Sequence, residues 1–383
     1  MKNLCYISFF LLGVLGHAQT ALYNSGNIRI HDQGQLGFHT DLINDAAFDE
    51  NVGLAGFYGN DQIYVSGAFA PTFYDMEIAN PTGVLLQTGI NNLNNTNFIV
   101  GDFLTFKNQT DVSYTFLQNA FYVGDSDISQ VDGYAGVTGQ SSFTFPVGDG
   151  VQLRPLILRS ESENPLAKCA YFFENPGSPT SISDSFDPTL SSRELGGVTG
   201  VEFWRLQGSV PSTIQISWNE RSNIPFLTDD VNTIMVVGWS KAEKQWVPLG
   251  PTGATGDLST GYASSASFIP DDYEAITFGT LDVPEDFLDL ENYIVSANGD
   301  GINDILMIPE LLELSPNNHL KIYNRFGSLV FEQENYTDQF KGYSNVSNFV
   351  IDREQGLPAD VYFYIVTMDD LGLDFQGFLY LTR

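Results

Sequence analysis

Residues 73–92 read FYDMEIANPTGVLLQTGINN. Met76 and Ile78 alternate with Asp75 and Glu77, and the run closes at Asn80. A second short run, GVLLQT, starts at Gly83 and closes at Gly89. Alternation with a period of two is the mark of a strand with one buried face, and Gly, Asn and Pro at the ends mark turns. Runs of the same kind fill residues 19–136: NIRI, GQLGF, GLAGFYG, QIYVSG and NFIVGDFLTF. They recur roughly every eight to twelve residues with no long amphipathic helix between them. Such spacing fits either a β-sandwich or the coils of a β-solenoid, and alternation alone does not separate the two.

The stretch 73–92 also resembles segments of Bacteroidota surface proteins in which "FYNLTINN–GV–L" units stack in solenoid-like arrays. The resemblance covers about twenty residues.

A second region, 137–283, opens with SSFTFPVGDGVQLRPLIL, where Phe143 and Phe145 alternate, Gly148 to Gly150 turn the chain and Leu156 and Leu158 resume a strand. Beyond a Ser-, Pro-, Asp- and Gly-rich loop (176–200), TIQISWN sets Ile214, Ile216 and Trp218 on one face. IMVVGWSKAEKQWVPLG reads as two strands joined by the charged turn Lys241–Lys244. All four Trp lie between 204 and 246, which suits a sandwich core; a stacking platform for sugar is the alternative. LAKCAYFF predicts a half-buried strand with Cys169 as an inert thiol.

Composition narrows the function classes. With 29 Phe and 18 Tyr among 383 residues, the chain has ample material for packed cores. A formal charge of −31, with 16 Lys and Arg against 47 acids, argues against nucleic acid, whose phosphates need clustered cations. Scattered acids serve solubility first and supply hard oxygen ligands second.

The N-terminus, MKNLCYISFFLLGVLGHAQT, has Lys2, an apolar stretch from Leu4 to Leu15, and Gly16-His17-Ala18 before Gln19. That predicts a signal peptide over 1–18, with Cys5 too early for lipidation and the apolar stretch too short to anchor in a bilayer. No later segment reads as a transmembrane span.

Catalytic motifs are absent: no G-x-S-x-G, H-E-x-x-H or P-loop lysine pattern occurs. His31 and His39, with Asp32 and Asp41 nearby, are too loosely spaced for a zinc site, and His319 stands alone. No enzymatic activity is expected.

From Pro284 the chain changes character. After the acidic linker VPEDFLDLEN comes SANGDGINDILMIP (296–309). An EF-hand loop begun at Asn298 would need an oxygen ligand at position five and Glu at position twelve, but Ile302 and Pro309 stand there. Asn298, Asp300, Asn303 and Asp304 still supply four side-chain oxygens. An Asx-rich turn and a calcium loop are both open readings. LKIYNRFGSLVF predicts a hairpin turning at Asn324–Ser328. VYFYIVTMDDLGLDFQGFLYLTR predicts another turning at Asp369–Gly372, with a last strand that runs to the final residue and ties the terminus down.

These motifs, in this order, resemble the gliding-motility-associated C-terminal domain, the type B sorting domain of the Bacteroidota type IX secretion system. SANGDGINDILMIP is similar to its "TPNGDGINDTF–IP" opening, LKIYNRFGSLVFE to its "L–I–NRWG–VYE" hairpin, FKGY to "W-D/K-G", LPADVYFYIV to "LP-x-GTYFYVI", and DFQGFLYLTR to the closing strand. Ser296-Ala297 and Asp360-Val361 depart from the usual Thr-Pro and Gly-Thr. The resemblance covers about 290–383. It implies a signal-peptide step into the periplasm, recognition by the type IX translocon, and retention at the cell surface through an outer-membrane barrel of the PorP/SprF family. It places recognition at Asn298, Gly299, Asp300, Gly301, Asn303, Asp304, Asn324, Arg325, Gly327, Gly342, Tyr362, Tyr364, Gly377 and Arg383.

The expectation is therefore an all-β chain. Residues 19–136 and 137–283 would be two β-rich cargo regions, solenoid-like or sandwich, and 284–383 a small antiparallel β-sandwich that sorts them. The cargo would be an adhesin-like or motility-associated structural component, or a small subunit of the secretion apparatus. A secreted polysaccharide-binding or polysaccharide-degrading protein is the alternative.

Overall fold

Parallel pairing decides the question that the pattern of 73–92 left open. Asp75–Ala79 pairs in parallel with Leu54–Tyr58 on one side and Asn95–Val100 on the other. Val84–Leu86 lies in a different sheet, between Ile63–Ser66 and Phe103–Thr105. Ile90–Asn92 lies in a third, between Thr72–Phe73 and Tyr114–Phe116. Neighbouring strands in sequence thus fall on three different faces, and the chain returns to each face one coil later. This is a β-solenoid. Strands of the first face begin at residues 21, 41, 63, 84, 103 and 131, so most coils take about 20 residues.

The computed structural model describes residues 21–251, 253–281, 293–308, 311–346, 356–368 and 373–382. The expected signal peptide, the acidic linker, the turn Asp369–Gly372 and Arg383 lie outside these residues.

A single coil buries at most three residues per strand and cannot form a core alone, so the coils hold by stacking like on like. Phe38 stacks on Phe57 with ring centroids 4.8 Å apart, and Leu42, Val65 and Leu86 follow one another in register on the first face. Asparagines do the same with hydrogen bonds. Asn24 sits in register with Asn44 and donates its amide to the Asn44 side-chain oxygen at 2.7 Å; Asn44 donates onward to the Phe69 carbonyl at 2.9 Å. Both are buried, so their amides satisfy turn carbonyls that water cannot reach.

The third face does not stop where the coils stop. Ala135–Val137, its last parallel strand, pairs antiparallel with Ala167–Phe172, and the same sheet continues through Phe203–Gln207, Tyr273–Leu281, Ile234–Ser240 and Trp246–Pro248. A second antiparallel sheet faces it, built on Ser142–Phe145, Leu156–Ser160, Ser212–Trp218 and Gly261–Ser264. One ten-stranded sheet therefore crosses residues 136 and 137 unbroken, within a compact unit that ends at Asp282.

That sheet is buried on both sides. Cys169, Tyr171 and Trp204 face the core shared with the solenoid interior. Ala170, Phe172 and Phe203 face a second core closed by Ile182 and Phe186 from the long loop and by Leu195 of a short strand, Leu195–Val198, which the expected loop 176–200 contains and which pairs with Tyr273–Leu281. The expectation of a half-buried strand at LAKCAYFF is corrected accordingly: from Cys169 to Phe172 every residue is buried, because the loop covers the face expected to meet water. Burial also pushes the Cys169 thiol up, away from its reactive form. The two sheets are pinned by a buried ion pair. Arg154 Nη2 lies 2.8 Å from both Glu202 carboxylate oxygens and also donates to the Ser217 carbonyl and Ser222 Oγ; the Tyr171 hydroxyl donates to Glu202 at 2.6 Å.

The second compact unit, from Val283, is a five-stranded sheet in the order Tyr293–Ser296, Leu373–Thr382, Asp360–Met368, Asn318–Asn324, Leu329–Glu334. Both predicted strand pairs are present as antiparallel neighbours; the first strand joins the last in parallel. Its sandwich-like core holds Tyr362, Tyr364, Val366, Leu379 and Leu381 from the sheet, against Leu306, Ile308, Leu311, Tyr336 and Phe340 from the connecting segments.

Candidate functional site

The loop after Tyr293–Ser296 forms from local hydrogen bonds. Asp304 accepts the backbone N–H of Gly299 and of Gly301, each at 2.7 Å, one on each carboxylate oxygen. Asp300 accepts the Ile302 N–H, and Asn298 accepts the Asp300 N–H while its amide donates back to Asp300. These bonds hold the Asp300 carboxyl below its ordinary range, the Asn298 amide contributing most. Gly299 and Gly301 take φ values of +78° and +87°, and Asn303 takes +54°. A Cβ at either glycine would meet nothing within 4 Å, so the requirement there is the left-handed backbone and not space. The structure thus builds the Asx-rich turn, with the side-chain oxygens of Asn298, Asp300 and Asp304 turned onto N–H groups. Among the described residues, no group of three or more His, Cys, Asp or Glu converges in a metal-like cluster.

A second turn mirrors the first. Asn324 Oδ1 accepts the N–H of Phe326 and of Ser328, and Gly327, at φ +78°, closes the turn by donating to the Asn324 carbonyl. Arg325 is exposed, lies over the Phe326 ring and is 3.5 Å from Asp360. Strand directions bring the two turns together in one sense. The strands ending at Ser296 and Asn324 run the same way, antiparallel to Asp360–Met368, so both turns and Asp360 lie at one end of the sheet. Three strand spacings, about 14 Å, separate their strands.

The remaining sorting candidates lie inside. Tyr364 is fully buried, and its ring crosses to Gly377, where a Cβ would strike the Tyr364 hydroxyl. Burial pushes the Tyr364 phenol up. Tyr362 is buried and donates to the Pro358 carbonyl at 2.8 Å. Gly342, at φ +76°, leaves room that a Cβ would contest with Ala297 and Leu381. Each of these four shapes the fold and does not meet solvent with a side chain of its own. Arg383 lies outside the described residues.

Sequence reasoning missed the sheet's outer face. Ile294, Phe363, Phe378 and Tyr380 are each between 42% and 58% exposed. Phe363 lies opposite Phe378, with ring centroids 5.2 Å apart, and Tyr323 flanks Phe363. Tyr380 lies opposite both Ile294 and Val361. The result is one apolar patch across four strands. Its signal was present in VYFYIV and GFLYL, where both parities of the alternation are apolar although the core covers only one face. Val361, one of the two departures from the family pattern, adds to this patch.

In the first unit, all four Trp are buried, Trp239 the most exposed at 8%, so the tryptophan sugar platform is corrected to core packing. Trp239 and Trp246 face each other across their strand pair, edge to face, as the core reading expects. His39 packs on the Tyr58 ring, while His31 lies in a turn whose carbonyl accepts the Gly34 N–H.

Compared with known families, residues 288–381 match the CHU_C Type IX secretion signal domain. The second unit is that domain, and the chain is thereby marked as cargo of the type IX secretion system. No curated protein and no solved structure matches the chain. Among the described residues no helix is long and apolar enough to cross a membrane.

Proposed function

We propose that this is a non-enzymatic cell-surface protein, exported after signal-peptide cleavage and held at the outer membrane by its C-terminal domain, with the solenoid and sandwich displayed outward as an adhesin-like structural component. The single observation that carries it is the secretion signal domain at 288–381, folded as its own unit. Partner recognition falls to features of that domain left open to solvent: the turns at 298–304 and 324–328, and the apolar face around Phe363 and Phe378. A barrel of the PorP/SprF family is the retention partner, since the domain offers an exposed apolar sheet face for docking.

Deleting 288–383 tests the reading. The truncated protein is expected in the periplasm, unreachable by surface labelling; surface display without the segment would refute it. A pull-down from detergent-solubilised outer membranes, through a tag in a solenoid loop, is expected to recover a barrel or translocon component.

A further inference from the structure

The second face of the solenoid carries a feature that export does not use. Across the starting ends of its five strands runs a groove of about 660 Å³. Two in-register columns of outward residues underlie it; the first lines it throughout, and the second reaches it at Glu77 and Asn97. One column is Gln35, Leu54, Asp75, Asn95 and Phe121. The other is Gly37, Gly56, Glu77, Asn97 and Val123. Each step along a column is one rung, so the floor extends over about 19 Å along the stack.

The chemistry of the floor is specific. Glu77 accepts the Tyr58 hydroxyl at 3.0 Å and the Asn97 amide at 2.8 Å, and Asp75 accepts the Asn94 amide at 2.7 Å. Both carboxylates are therefore oriented by neutral donors and neutralised by none. Beside the groove the Tyr58 ring lies over Gly56, where a Cβ would fall on its hydroxyl, and this close packing sets the hydroxyl that holds Glu77. Asn95 Oδ1 is shielded from water without a protein partner. Two exposed rings, Tyr74 and Phe121, line the groove two rungs apart, about 10 Å. No Lys or Arg lines it, while Asp32, Asp75 and Glu77 do.

We infer that this groove binds a neutral, linear polysaccharide lying along the solenoid axis. A rung spacing is comparable to the length of one pyranose unit, so a regular glycan meets a repeating floor. Carboxylates and amide oxygens accept hydroxyl donors, and the two rings present faces for the apolar side of a sugar at every second unit. Uncompensated acids repel uronates and sulfated sugars. The inference is independent of the export route, because binding is read on purified protein.

Affinity electrophoresis of the mature chain in gels holding xyloglucan, glucomannan, laminarin or β-mannan tests it, with alginate and polygalacturonate as anionic controls. Retardation by at least one neutral glycan is expected, with none by the anionic pair. The Tyr74→Ala/Phe121→Ala double variant is expected to weaken that binding by about tenfold or more. Both rings are exposed, so its melting temperature should match the parent's, which excludes misfolding. Tyr23→Ala, an exposed ring on the first face, should leave binding unchanged. No retardation by any neutral glycan, binding by the anionic polymers alone, or equal loss in Tyr23→Ala would overturn the inference.

Discussion

Single residues decide stability where charge is buried. Arg154 and Glu202 are 3% and 1% exposed at their side chains and share partners from three elements. Glu202→Ala leaves a guanidinium without its counter-charge, and the expected cost is about 3–5 kcal/mol, read by chemical denaturation. Asp102 offers a pH effect of opposite character. Burial pushes its carboxyl up to about 6; the Gln130 N–H opposes this, and Asp132 and Asp149 add to it. Lys107 pairs with Asp132 and Arg221 with Asp149, so neither cation is given over to Asp102. A native carboxyl with a raised value binds its proton more tightly than the unfolded chain does. Its contribution is thus full below about pH 4 and lost as pH rises through about 6. Asp102→Asn is expected to gain on the order of 2 kcal/mol at pH 7.5 and little at pH 4, checked by melting curves at both. Neither site was legible in the sequence. With 47 acids and 16 bases, pairing is a matter of three-dimensional approach that spacing does not encode.

Elements were legible in kind but not in partnership. The strands of the C-terminal domain stand where the alternation of LKIYNRFGSLVF and VYFYIV places them, and TIQISWN buries Ile214, Ile216 and Trp218 as read. The solenoid strands were equally visible, yet a three-residue strand buries the same side chains in a sandwich or a coil. What separates them is like residues stacked one coil apart, Asn24 under Asn44 and Phe38 under Phe57, and the local pattern does not show it. Asn44→Ala removes both links of that amide ladder, and a loss of about 2 kcal/mol is expected by urea denaturation. The turn at 298–304 leads to a different expectation. The side-chain oxygens of Asn298, Asp300 and Asp304 are already engaged by N–H donors, so chelation with EDTA should leave the melting temperature unchanged; a fall would revive the calcium reading.

At the scale of the whole chain, the sorting domain was legible through its family motifs over about 290–383, because an address read by another protein must keep its features at fixed positions. The shared sheet across 136 and 137 was not legible, since one strand belongs to both regions, with a parallel partner 21 residues before it and an antiparallel partner 30 to 34 residues after it. The outer face of the sorting domain yields the prediction at this scale. Phe363→Ser/Phe378→Ser removes apolar surface without touching the core, so the purified domain should fold as before. Surface labelling of cells should nevertheless fall several-fold, as expected when two central aromatic anchors are lost.

The continuous third face also has a mechanical meaning. Hydrogen bonds between rungs run along the stack, so a pull on the outermost coil is carried rung by rung through three ladders side by side. At Ala135–Val137 the load passes into the antiparallel strands through backbone bonds of the same sheet. A tether built this way has no slack linker between grip and body. Tension on a bound glycan would reach the sandwich as strain in one fabric, without first straightening a string of beads.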